Sequence, residues 1–116
     1  MSSSTTTNTL LPAPAILEAT GTSGIKLIEV DKLASSGATL DIPASAIKSG
    51  DRVRAWSISD SGTVIDEVKT VAAIPLTFSV AKDKLKKGTY PTFSYALLDD
   101  KDKPTAVSAA VPYSVV

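Results

Sequence analysis

Ser45-Ala46-Ile47-Lys48 matches S-x-x-K, a pattern in which a lysine one helical turn away activates a serine nucleophile. That chemistry needs a helix at the floor of a large α/β cleft, with further polar motifs supplied by other segments. A chain of 116 residues with strand-like patterning provides neither, so Ser45 to Lys48 reads as a turn between strands. Asp99-Asp100-Lys101-Asp102-Lys103 gathers carboxylates as a calcium loop does, but it lacks the glycine and closing glutamate of an EF-hand. Two lysines interleave the acids and oppose a cation, so the segment reads as a solvated hairpin tip. The basic cluster Lys82, Lys84, Lys86 and Lys87 contains Asp83 and no interleaved aromatic ring, so it reads as a charged turn that binds no nucleic acid.

Composition removes most other chemistry. There is no histidine and no cysteine, which excludes imidazole acid–base schemes, thiol nucleophiles, disulfides and thiolate or imidazole metal sites. Twelve Lys+Arg balance twelve Asp+Glu, so no net charge draws the chain to nucleic acid or an anionic membrane. No catalytic residue, metal or cofactor is expected. A sugar site is a second reading, built on Tyr90, an aromatic expected to be exposed before Pro91, together with Asp60, Asp99 and Asp100. The single asparagine, Asn8, and the absence of glutamine make that inventory thin.

The elements that must position these residues are strands. Residues 1–9, Ser/Thr-rich, read as a disordered polar leader, with residues 10–116 as one domain. The leader has no apolar run and no base, so it is no secretory signal peptide, and no stretch is long enough to span a membrane. Alternation places Leu40 with Ile42; Leu76 with Phe78 and Val80; and Phe93 with Tyr95 and Leu97. The last run alternates most regularly, with Val107, Ala109, Val111, Tyr113 and Val115 on one face. Arg52–Ile58 and Thr63–Val71 flank a tight turn at Asp60-Ser61-Gly62, and Lys82–Gly88 forms a charged turn with one helical turn in it. Roughly seven or eight short strands, spaced roughly every 8–12 residues, predict an all-β, immunoglobulin-like antiparallel β-sandwich. Trp56 and Tyr95 stand where such sandwiches bury their aromatic residues, and both are assigned to the core.

The order Leu11-Pro12-Ala13-Pro14-Ala15-Ile16-Leu17-Glu18-Ala19, Gly50-Asp51-Arg52-Val53-Arg54-Ala55-Trp56, Pro75-Leu76-Thr77-Phe78-Ser79-Val80 and Tyr95-Ala96-Leu97 resembles the Ig-like repeats of large bacterial surface and adhesin-like proteins, notably from pseudomonads. The resemblance spans nearly all of residues 10–116, and its motifs are structural. It departs at the first strand, where Gly21-Thr22-Ser23-Gly24 replaces a glycine-rich approach, and only one module is present. It implies a cell-surface or extracellular location reached by a non-classical route; without it the chain reads as cytoplasmic. The function expected is a non-enzymatic interaction module, which binds a protein partner or self-assembles through sheet edges or faces. The β-branched runs 63–71 and 105–116 are the edges expected to be open, and Tyr90, Asp60, Asp99, Asp100, Lys84, Lys86 and Lys87 are the candidate contact residues. Carbohydrate binding is the alternative, with a small secreted toxin-like factor a further one.

Overall fold

Alternating apolar and polar residues fold residues 10–21 and 24–116 of the computed structural model into two stacked sheets. The leader assigned to residues 1–9 lies outside the described residues. Among the described residues there are nine strands: β1 (Ala15–Ile16), β2 (Lys26–Ile28), β3 (Ala38–Ile42), β4 (Arg52–Ser59), β5 (Gly62–Thr70), β6 (Leu76–Val80), β7 (Thr92–Leu98), β8 (Pro104–Val107) and β9 (Val111–Val115). The smaller sheet runs β1-β3-β6. The larger runs β2-β9-β7-β4-β5, with β8 also paired to β7. The ladders are antiparallel except β2–β9, which is parallel. The count exceeds the expected seven or eight because β1, two residues long, is too short to leave an alternation in the sequence, and because the final run divides into β8 and β9.

Between the sheets lie the predicted alternations: Leu40 and Ile42 from β3, Leu76, Phe78 and Val80 from β6, and Phe93 and Tyr95 from β7. Burying such side chains contributes about 1.5–3 kcal/mol each, and this core is the main force holding the sheets together. Phe93 meets Tyr113 edge to face, ring centroids 5.7 Å apart. The Tyr113 hydroxyl accepts the Ile16 N–H at 2.9 Å and thereby ties β1 to the opposite sheet.

Tyr95 is fully buried, as expected, and its hydroxyl donates to the Pro12 carbonyl at 2.7 Å. Burial pushes its phenol up to about 12, against 10.0 in water. A raised folded value favours the neutral phenol, so its contribution is fully present below about pH 10 and is lost as pH rises from 10 through 12. Urea unfolding across that window should show the protein losing on the order of 2 kcal/mol more than Tyr95→Phe. Parallel curves for the two proteins would contradict it.

Three expectations need correction. Trp56 is not in the core. Val53, Ala55 and Ser57 take the inner positions of β4, and the pleat sends Trp56 to the outer face with Arg54 and Ile58. The last run is not one strand either. Ser108 interrupts it: its N–H donates to the Tyr95 carbonyl while its hydroxyl accepts the Tyr95 N–H at 2.9 Å and donates to the Ala109 carbonyl. A side chain thus replaces a ladder group, the alternation slips, and Val107 turns outward at 39% exposure while Tyr113 and Val115 stay buried. Finally, 105–116 is not one open edge: β9 lies between β2 and β7, and Leu11 bonds across the far end of β8, donating to the Val107 carbonyl and accepting the Ala109 N–H.

Candidate functional site

The strand directions decide which predicted residues can meet. Ile58 of β4 pairs with Thr92 of β7, so the Asp60 turn and Tyr90 share one end of the sandwich. Arg52 pairs with Leu98, so Asp99 and Asp100 lie at the other end. Seven-residue β7 separates the two ends by about 20 Å. The four groups assigned to a sugar site therefore do not form one. Tyr90 is 61% exposed, as the sequence predicts, but no partner from the acidic hairpin reaches it.

The charged clusters are occupied with holding loops. Asp99 Oδ1 accepts the N–H groups of Lys101 and Lys103, an Asx-type lock that shapes the β7–β8 turn. Asp102, at φ 63°, pairs with Arg52 at 2.8 Å, while Asp100 is exposed. No group of three or more acidic residues suited to a metal occurs among the described residues. In the basic loop, Lys82 donates to the Leu33 carbonyl at 3.1 Å and Lys87 to Asp31 at 2.6 Å. The Lys87 ammonium holds the Asp31 carboxyl below its ordinary value. Lys84 and Lys86 are exposed. Residues Lys82–Lys84 form a single 3-10 turn, as expected.

Ser45 lies on the 3-10 turn Ala44–Ala46, and the Lys48 ammonium is 3.3 Å from Asp51 Oδ1. An ion-paired lysine is no base for Ser45, so S-x-x-K is a turn here. An open groove of about 290 Å³ beside it is lined by Ser45, Lys48, Asp51 and Leu97. A second groove, about 400 Å³, lies where β1 leaves the sandwich near Ile25, Pro112 and Tyr113. In the first, Lys48 and Asp51 pair with each other rather than with Ser45, and the second is lined by no acidic residue. Among the described residues no helix is long and apolar enough to cross a membrane.

The surface that does gather chemically distinctive groups is the outer face of β4, β5, β7 and β8. Its central rung is Asp66–Trp56–Ser94, its neighbour Val68–Arg54–Ala96–Val107, and beyond Trp56 lies Thr63–Ile58–Thr92. Arg54 reaches diagonally to Asp66 with two bonds, Nε to Oδ1 and Nη2 to Oδ2, each 2.8 Å. These bonds hold the Asp66 carboxyl below its usual value and raise Arg54. The same guanidinium sits 5.5 Å from the Trp56 ring centre, a cation–π arrangement that fixes the indole against the sheet. Around it Ile58 is 63% exposed, Val68 40% and Val107 39%. The face is thus partly apolar, with a fixed aromatic ring and a charge pair neutralised internally, so burying it leaves no lone charge.

Sequence reasoning missed this face, although a signal was present. Trp56 shares the parity of Arg52 and Arg54, two residues that rarely occupy a core-facing position together. Comparison with protein-family models, curated proteins and solved structures finds no match for the chain.

Proposed function

We propose that this chain is a non-enzymatic, immunoglobulin-like interaction module that binds a protein partner through the outer face of β4, β5, β7 and β8. The observation carrying the reading is the clamped Trp56, surrounded by outward Ile58, Val68 and Val107. Tryptophan and arginine dominate interface energies where they are rigid and can be fully desolvated, and here both are pre-ordered. The strand order supports the immunoglobulin-like part. One sheet is built from the first, third and sixth strands, and the other places the fourth between the fifth and the seventh. The lack of histidine and cysteine in the chain supports the non-enzymatic part of the reading.

The test is capture from cell extract by the immobilised full chain, run beside Trp56→Ala, Ile58→Asp and Tyr90→Ala, with a glycan array in parallel. Trp56→Ala should weaken the captured partner by about 2 kcal/mol or more, about thirtyfold, with the circular dichroism spectrum unchanged. Tyr90→Ala should bind as the parent does. Equal capture by the Trp56 and Ile58 variants would sink the face. A glycan signal lost in Tyr90→Ala would replace it with carbohydrate recognition.

A further inference from the structure

We infer that a second copy of this chain pairs with the first along β5, antiparallel and centred on Val68, joining the two larger sheets into one. This backbone edge borders the outer face and shares the side chains of Asp66 and Val68 with it, but the pairing runs through the β5 ladder rather than through Trp56 and goes beyond the reading given for that face. Among the described residues β5 pairs only with β4, so its other side presents an unpaired ladder over a nine-residue strand.

Which groups are free follows from the last bonds of the β4–β5 ladder. Val71 donates to the Asp51 carbonyl and accepts the Gly50 N–H, both at 2.8 Å, so its backbone faces β4. Alternation then turns the N–H and C=O groups of Asp66, Val68 and Thr70 toward the open side. A two-fold axis through Val68 sets Val68 against Val68 of the second copy and Asp66 against its Thr70, each pair exchanging both backbone bonds. About six hydrogen bonds form in all.

The side chains select that register. With Val68 at the axis, Glu67 falls directly opposite Lys69 of the second copy, and Lys69 opposite its Glu67. Both are non-hydrogen-bonded positions, where Cα atoms approach to about 4.5 Å and opposite charges attract. Moving the axis one residue toward the start of β5 sets Glu67 against Glu67; moving it one residue toward the end sets Lys69 against Lys69. With the axis at Asp66, two aspartates meet.

In the single chain Lys69 donates to the Thr77 carbonyl at 2.9 Å and lies 5.0 Å from the Phe78 ring centre. Glu67 is exposed, with no ion-pair partner among the described residues. Charges on the core side of an edge strand repel arbitrary strands. Here they also give the edge one matching partner, itself. The register slip at Ser57/Ile58, which leaves Val64 and Ile65 both buried, lies before the paired segment and does not interrupt it.

The experiment is sedimentation velocity of the full chain over the micromolar to millimolar range, with Glu67→Lys, Lys69→Glu and the double exchange. A concentration-dependent dimer is expected, weakened at least about tenfold by either single change and restored to within about threefold by the double. Val68→Cys adds a readout free of charge effects. The chain has no cysteine of its own, and Cα atoms about 5.5 Å apart at the axis lie within disulfide reach. Mild oxidation should cross-link this variant in solution, while Thr105→Cys on β8 should stay monomeric. A strict monomer throughout, a dimer indifferent to the single changes, or a double exchange without recovery would each overturn the inference. Because the Trp56 experiment reads a different strand and a different partner, and Glu67 and Lys69 lie on the opposite side of β5 from Val68, either proposal can fail alone.

Discussion

Gly37→Ala is expected to abolish or nearly abolish folding, with a loss of at least about 4 kcal/mol out of the roughly 5–15 kcal/mol that holds a domain of this kind together. Gly37 has φ +90°, a conformation that strains any L side chain by about 1–3 kcal/mol. The second cost is steric and larger. A Cβ there would collide with the Val80 carbonyl oxygen and stand 2.9 Å from the Lys82 N–H nitrogen, both backbone atoms that cannot rotate aside. Val80 is the partner of Ala38 at the head of the β3–β6 ladder, so relieving the clash means opening the smaller sheet. Gly62→Ala is the control, since φ is +114° but nothing lies within 4 Å. Urea unfolding should place Gly62→Ala about 1–2 kcal/mol below the parent and Gly37→Ala far lower. Similar losses in both would show that the steric argument is wrong.

Truncation of Tyr113 is the second large effect. Tyr113→Ala should cost about 3–5 kcal/mol, because a side chain 2% exposed is removed from contact with Phe93 and the void cannot close around a sheet. Tyr113→Phe separates the hydroxyl from the ring. It preserves packing but leaves the Ile16 N–H without its acceptor, a loss of about 1–3 kcal/mol. Since Ile16 belongs to two-residue β1, the phenylalanine variant should also release the Ile16 amide to hydrogen exchange ahead of β3 and β6. Retained protection there would remove the tether from the account of how β1 is held.

Alternation made much of the core legible. Leu40, Ile42, Leu76, Phe78, Val80, Phe93 and Tyr95 were placed correctly because each strand has one apolar parity and its turns are punctuated by Gly, Pro and Asp. Where a strand carried apolar residues on both parities the reading failed. β4 has Val53 and Ala55 on one side and Trp56 and Ile58 on the other, and residue size pointed the wrong way. Ser108 defeated the reading of the final run because its effect comes from a hydroxyl bonding to Tyr95, 13 residues away, and nothing in local pattern signals it. The scattered site is a topological matter. Asp60 and Asp99 look equivalent as turn acids, and only the up-and-down course of β4 and β7 puts them at opposite ends.

The parallel pairing of β2 with β9 carries a mechanical consequence. One strand lies near the start of the chain and the other near its end, and they run in the same direction, Lys26 opposite Tyr113 and Ile28 opposite Val115. Beyond them the Val116 N–H donates to the Ile28 carbonyl, and Val30 returns a bond to Val116. Leu11 runs parallel to Ser108 in the same way. Tension applied along the chain from both sides pulls these partners lengthwise past each other, so every bond across the seam is loaded in shear at once. An antiparallel seam pulled from the same points would open one bond after another. The fold therefore resists tension along its chain direction through this seam, with the rupture rate set by the seam's unfolding barrier.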